Sequence, residues 1–193
     1  MNMLKRGVSL LLSGTLIFAA VVPAYAAETQ EPSEKEEVVY ATLKADGSVE
    51  STYVVNSFSG GEITDYGQYA NVKMLNTDDS IDQEGDKITF STSAEKAYYQ
   101  GDLPDAQLPW KISLTYFLDG EEVRPEELAG KSGALKIRFQ VAENSQCSGG
   151  FYKDYALQAS FTLDTEQCAN ITADDATMAN VGGDKQLTYT ILP

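Results

Sequence analysis

The stretch PWKISLTYFLDGEEVRPEELAGKSGALKIRFQV, from Pro109 to Val141, decides the fold class. Trp110, Ile112, Leu114, Tyr116 and Leu118 alternate with Lys111, Ser113, Thr115 and Phe117. Leu135, Ile137, Phe139 and Val141 alternate with Lys136, Arg138 and Gln140. Alternation with period two places one set of side chains on one face of a half-buried strand. Asp119-Gly120 follows the first run, and both residues tolerate the positive φ that a tight hairpin requires. Pro125 to Leu128 reads as a single helical turn, entered by proline and closed by Gly130. The pair predicts an antiparallel β domain.

Working outward to the N-terminus, Lys5 and Arg6 precede an apolar run from Val8 to Val22, and Ala24-Tyr25-Ala26 supplies a small–x–small site. Together they predict a secretory signal peptide over residues 1–26. The apolar run is shorter than the ~20 residues that span a bilayer, so an uncleaved anchor is the alternative. Cleavage leaves 167 of 193 residues; the 14 basic residues fall to 12 as Lys5 and Arg6 leave, against 29 acidic ones, a net charge of −17. A surface so acidic repels nucleic acid and anionic lipid.

Residues 27–37 are charged and contain Pro32, which reads as a flexible leader. Val38–Leu43 and Val49–Phe58 read as strands around an Ala45-Asp46-Gly47-Ser48 turn, with Val49, Tyr53 and Val55 sharing a face. Gly60-Gly61 breaks that run, and short segments follow at Val72–Leu75, Lys87–Ser91 and Ala97–Gln100. Residues 38–102 form a predicted N-terminal β subdomain, and 103–109, with Pro104 and Pro109, a linker. In the second subdomain, 110–193, Tyr155, Leu157, Ala159, Phe161 and Leu163 alternate inward, as do Leu187, Tyr189 and Ile191. Many short strands with few helical periods indicate an all-β, antiparallel β-sandwich of two subdomains, the second immunoglobulin-like. A single continuous sandwich is the alternative.

The chain has no histidine, which removes Ser-His-Asp and Cys-His nucleophiles and imidazole zinc sites. Ala129-Gly130-Lys131-Ser132 resembles the end of a phosphate loop, but Pro125 stands where its first glycine belongs. Ser93-Ala94-Glu95-Lys96 matches a Ser-x-x-Lys pair without the partner element or helical domain it needs. Asp78, Ser80, Asp82 and Glu84 suggest an irregular calcium loop or a solvated acidic one; Gln83 and Thr89 exclude an EF-hand. Neither a catalytic residue nor a cofactor is therefore expected. Tyr98 and Tyr99 are adjacent, point to opposite faces and offer a binding surface of flat apolar area with a polar edge. Cys147 and Cys168 flank one strand of an exported chain and are expected to form a disulfide.

The runs from Ile63 (ITDYGQYANVKML), Tyr98 (YYQGDLPDAQLPWKISLTYFLDGEEVRPEELAGKSG) and Leu163 (LDTEQCANITADDATMANVGGDKQLTYTILP) resemble the exported N-terminal region of Firmicutes cell-envelope proteins. These are the proteins with x-x-x-Leu-x-x-Gly heptad repeats or related to YhgE/Pip. The resemblance implies a β region followed by helical repeats and a membrane segment, so a strand ending at Pro193 reads as a fragment whose membrane association lies in a missing C-terminal part. It carries no catalytic residues. The expected function is a non-catalytic extracytoplasmic domain of a Gram-positive envelope protein, for surface attachment, assembly or binding. Its partner is an envelope protein or polysaccharide, and not nucleic acid. A glycan-binding module using exposed tyrosines and a carboxylate-dependent hydrolase are the rivals.

Overall fold

The computed structural model describes residues 31–147 and 155–192 with their side chains, and residues 12–18 as backbone. Among the described residues twelve strands follow one another: β1 (Leu12–Phe18), β2 (Glu36–Leu43), β3 (Val49–Tyr66), β4 (Val72–Met74), β5 (Ile81–Glu84), β6 (Lys87–Asp102), β7 (Trp110–Leu118), β8 (Glu121–Val123), β9 (Leu135–Glu143), β10 (Ala156–Asp164), β11 (Thr177–Val181) and β12 (Asp184–Ile191). The protein is all-β and its strand pairs are antiparallel. No helix among the described residues is long and apolar enough to cross a membrane.

The organising stretch folds as its alternation requires. Trp110, Leu114 and Tyr116 are buried on one face of β7. Asp119 and Gly120 take φ of 53° and 92° in the turn to β8. Pro125–Glu127 makes one 3-10 turn, and Gly130 closes it with φ of 76°. The chain then returns as β9 on the other side of β7, with Leu114 opposite Phe139 and Tyr116 opposite Ile137. The resulting order is β8-β7-β9.

The remaining strands form one nine-stranded sheet in the order β11-β12-β10-β1-β2-β3-β6-β4, with β5 also on β6. The small sheet covers part of the large one, and their shared core joins Val39, Ala41, Leu43 and Val54 to Trp110, Leu114, Tyr116, Leu157, Ala159, Phe161 and Leu187. Phe139 of β9 packs edge-on to Phe161 of β10 at 5.3 Å between ring centroids. A second core, Phe58, Ile63, Ile88, Phe90, Ala97 and Tyr99, draws on both sides of the Ser59–Gly61 bulge, where the β3–β6 pair bends so that Phe90 meets Phe58 and Tyr99.

Several expectations are corrected. The division at 103–109 does not separate two cores, because Leu108 is buried in a core drawn from both sides of it. The strands after residue 110 divide between the sheets, β7–β9 in the small one and β10–β12 in the large one, which continues through β1 into β2 and β3. Gly60-Gly61 does not end a strand. β3 continues through it with a register shift between Ser59 and Gly61, a bulge that bends the strand and lets it serve both cores. The inward face of β3 is also the opposite of the one expected: Thr52, Val54, Asn56 and Phe58 are buried, while Val49 is exposed and Tyr53 and Val55 are half-buried. The tail of the charged leader is tied down, with Glu36 and Glu37 opening β2.

The apolar leader run contributes β1, which lies between β2 and β10. The cleavage site at Ala24-Tyr25-Ala26 lies outside the described residues.

Candidate functional site

Two polar features lie on β2, β3 and β6, one enclosed and one open. The enclosed one begins with Ser33, whose N–H donates to Thr64 O at 2.7 Å and whose hydroxyl accepts from Thr64 N–H at 3.1 Å. These bonds anchor the approach to β2 and carry Lys35 to Asp65, near the end of β3. Lys35 Nζ lies 3.1 Å from Asp65 Oδ2 and 2.9 Å from Glu37 Oε2. The same Asp65 oxygen accepts a 2.5 Å hydrogen bond from the Tyr99 hydroxyl. Asp65 is 2% exposed and Tyr99 0%. Tyr99 stacks on Phe58 at 5.8 Å and meets Tyr69 edge-on at 6.0 Å.

Tyr69 is held by glycine. A Cβ on Gly101 would stand 2.5 Å from the Tyr69 ring, so only glycine leaves room for it. The Tyr69 hydroxyl accepts from Asn56 Nδ2 at 3.2 Å, while Asn56 Oδ1, fully buried, has no hydrogen-bond partner among the described residues.

Burial pulls the Lys35 ammonium down, but Glu37 and Asp65 outweigh it and hold its pKa above the ordinary lysine value. Burial first, and then the Asp65 charge, push the Tyr99 phenol far above its usual range. Burial also raises Tyr69. A phenol held so high does not release its proton near neutral pH. The network therefore joins the segment before β2 to β3 and β6, cross-linking three parts of the chain electrostatically.

The open feature is a groove of about 490 Å³ lined by Glu50, Thr52, Tyr53, Ala70, Gln100 and Asp102, among others. Tyr53 stacks on Tyr40 at 5.0 Å with 11° between the ring planes, and both are half-buried. Burial, and then the neighbouring Tyr40, raise the Tyr53 phenol. Gln100 Nε2 donates to Asp102 Oδ1 at 2.7 Å. A ring face beside an amide and carboxylates offers apolar contact together with donors and acceptors, a combination suited to a hydroxyl-rich ligand.

The residues singled out from sequence fall elsewhere. Tyr98 and Tyr99 do point to opposite faces of β6, but Tyr99 is core, so the pair is not one binding surface. Tyr98 is half-buried, and its backbone is clamped by Asn76 Oδ1 and Leu75 N–H. Cys147 and Cys168 are free thiols and the expected disulfide is not formed. Cys147 Sγ donates to Gln107 O at 3.4 Å, and the Cys168 N–H donates to Asp164 O at 2.9 Å. Cys147 lies in the turn that follows β9 and Cys168 in the turn that follows β10, each held by its own local bonds. In the acidic loop, Asp82 and Glu84 lie on the exposed face of β5, and among the described residues no three potential ligands converge on a metal site.

Sequence reasoning missed Lys35, Asp65 and the Tyr40–Tyr53 pair. The pair carried a readable signal, since a hairpin turning at Asp46-Gly47 sets Tyr40 directly opposite Tyr53. Comparison with known proteins adds no relative: no family model, curated protein or solved structure matches the chain.

Proposed function

We propose that the chain is an extracytoplasmic binding domain of a Gram-positive cell-envelope protein, exported by its leader and without catalysis of its own. The observation that supports it is where the buried polar cluster sits. Lys35, Asp65 and Tyr99 are turned onto one another inside the sheet, as a structural brace rather than a reactive cluster open to substrate. What faces solvent is sheet edge, an acidic surface and the Tyr53 groove. The Firmicutes resemblance and the signal-peptide pattern supply the location.

A glycan as ligand is the second reading, and the stacked Tyr40–Tyr53 pair beside Gln100 and Asp102 favours it. The tests go together. Expressed in a Gram-positive host, the protein is expected in the medium or wall fraction with residues 1–26 removed. Retention in the cytoplasm contradicts the location. Binding to purified wall polysaccharide that Tyr53→Ala abolishes supports the glycan reading; binding that Tyr53→Ala leaves intact assigns the ligand to another face.

A further inference from the structure

β1 is the seam of the large sheet. Residues Leu12 to Ile17 each have a Cα partner on β10 and on β2, and β1 is antiparallel to both. β2 and β10 consequently run parallel to each other, one strand apart. The register places Leu12 between Leu43 and Phe161, Gly14 between Ala41 and Ala159, and Leu16 between Val39 and Leu157. All six flanking residues are buried members of the main core. Ser13 and Thr15 stand in the alternate rows, between Thr42 and Ser160 and between Tyr40 and Gln158.

Seventeen residues separate β1 from β2, and the small–x–small site at Ala24-Tyr25-Ala26 lies among them. Processing there cuts the covalent link between this strand and β2. Two rows of backbone N–H and C=O groups then lose their partners, and the apolar floor of the slot loses its cover. Direct closure is disfavoured by direction and by packing. β2 and β10 would have to pair in parallel, and β10–β12 would have to slide about 4.8 Å beneath a covering sheet already packed on both sides of the gap.

We propose that the processed domain takes into this slot a β-strand from another envelope polypeptide, by strand addition on two edges at once. The occupant is an extended, proline-free segment of about seven residues. Its alternate positions read aliphatic–small–aliphatic, with small polar residues between, as Leu12, Gly14 and Leu16 alternate with Ser13 and Thr15. The proposal rests on the export reading above, because only removal of the leader vacates the slot.

The test uses the full-length chain carrying Ser13→Pro and Leu16→Pro, since proline cannot hold a central strand position and neither change touches β2 or β10. The probe is a labelled synthetic peptide with the sequence of residues 12–18 followed by two lysines. The variant is expected to bind it at least about tenfold more tightly than the unmodified chain, whose slot is filled. A peptide with Leu16→Asp is expected to bind at least about tenfold more weakly, because its neighbours across the row, Val39 and Leu157, are buried in the main core. Amides of β2 and β10, open in the variant, become protected on binding. If the variant is unfolded alone, the peptide is expected to restore its β signal, and failure to do so overturns the proposal. Protection of β2 and β10 without peptide also overturns it, since the gap has then closed by itself; a concentration-dependent dimer overturns a foreign strand as the occupant. A secreted product that retains residues 12–18 overturns this proposal together with the processing step of the export reading. A processed product with a negative peptide experiment overturns the slot alone.

Discussion

Removing the Asp65 carboxylate tests the buried brace most directly. In Asp65→Ala the Tyr99 hydroxyl, 0% exposed, loses its acceptor, and Lys35 loses one of its two counter-charges. Lys35 keeps Glu37 at 2.9 Å, and its side chain is 24% exposed, so its charge finds water. The larger loss is therefore at Tyr99. Leaving that hydroxyl buried without its charged acceptor costs about 1.5–3 kcal/mol, a sizeable part of a total stability of about 5–15. Tyr99→Phe keeps the ring on Phe58 and removes only the hydroxyl, at about 1.5–3 kcal/mol for a bond to a charged group. In the double variant no hydroxyl is left stranded, so the two losses do not add, and the coupling energy is expected at about 1.5–3 kcal/mol. Urea denaturation of the four proteins measures it. At about 2–4 °C per kcal/mol for a chain of this size, Asp65→Ala should also lower Tm by about 3–12 °C. A coupling below about 0.5 kcal/mol, or an Asp65→Ala cost below about 1, would show that water reaches the network and refute the reasoning.

Stability should fall as pH rises past about 10. Lys35, Tyr99 and Tyr116, the last pushed up to about 12, hold their protons in the folded state after the unfolded chain has released them, so their contributions are complete below the unfolded pKa values and lost through the folded ones. Urea midpoints between pH 8 and 12 check the direction, and Tyr116→Phe, which removes a 2.8 Å bond to Ala45 O, should cost about 1 kcal/mol at pH 7 and flatten the alkaline loss. Gly101→Val should destabilise by about 1–3 kcal/mol or more through collision with the Tyr69 ring, whereas Gly120→Asn, at a turn position with open space around it, should cost less than 1; thermal melts separate the two. Thiol titration of unfolded, non-reduced protein should count two free groups, Cys147 and Cys168, and a count of zero would contradict the structure.

The fold was most legible where apolar residues alternate cleanly. Leu157, Ala159 and Phe161 on β10, and Trp110, Leu114 and Tyr116 on β7, are buried as the period of two requires. It was least legible on β3, where the inward face carries Thr52 and Asn56 and the outward face carries Tyr53 and Val55, so hydropathy pointed the wrong way. Polar residues sit inward there because a buried network gives Asn56 and Asp65 partners that no local window of sequence reveals. β11 (Thr177–Val181) was overlooked because all five residues are exposed on an edge strand, where no inward face imposes a pattern. The brace joins Lys35, Asp65 and Tyr99, which are 30 and 34 residues apart in their contacts; the Ser33–Thr64 bonds bring Lys35 in, and the bend of β3 and β6 at the Ser59–Gly61 bulge brings Tyr99, paired with Asn56, back to Asp65.

The pairing of β3 with β6 has a mechanical consequence. β3 and β6 are matched at thirteen positions, from Tyr53–Asp102 to Tyr66–Lys87, in two segments joined at the bulge between Ser59 and Gly61. A pull along the two strands is carried as shear over the hydrogen bonds of a whole segment at once, instead of being peeled away one bond at a time. The domain is expected to yield to such a pull in one step rather than by fraying from an edge.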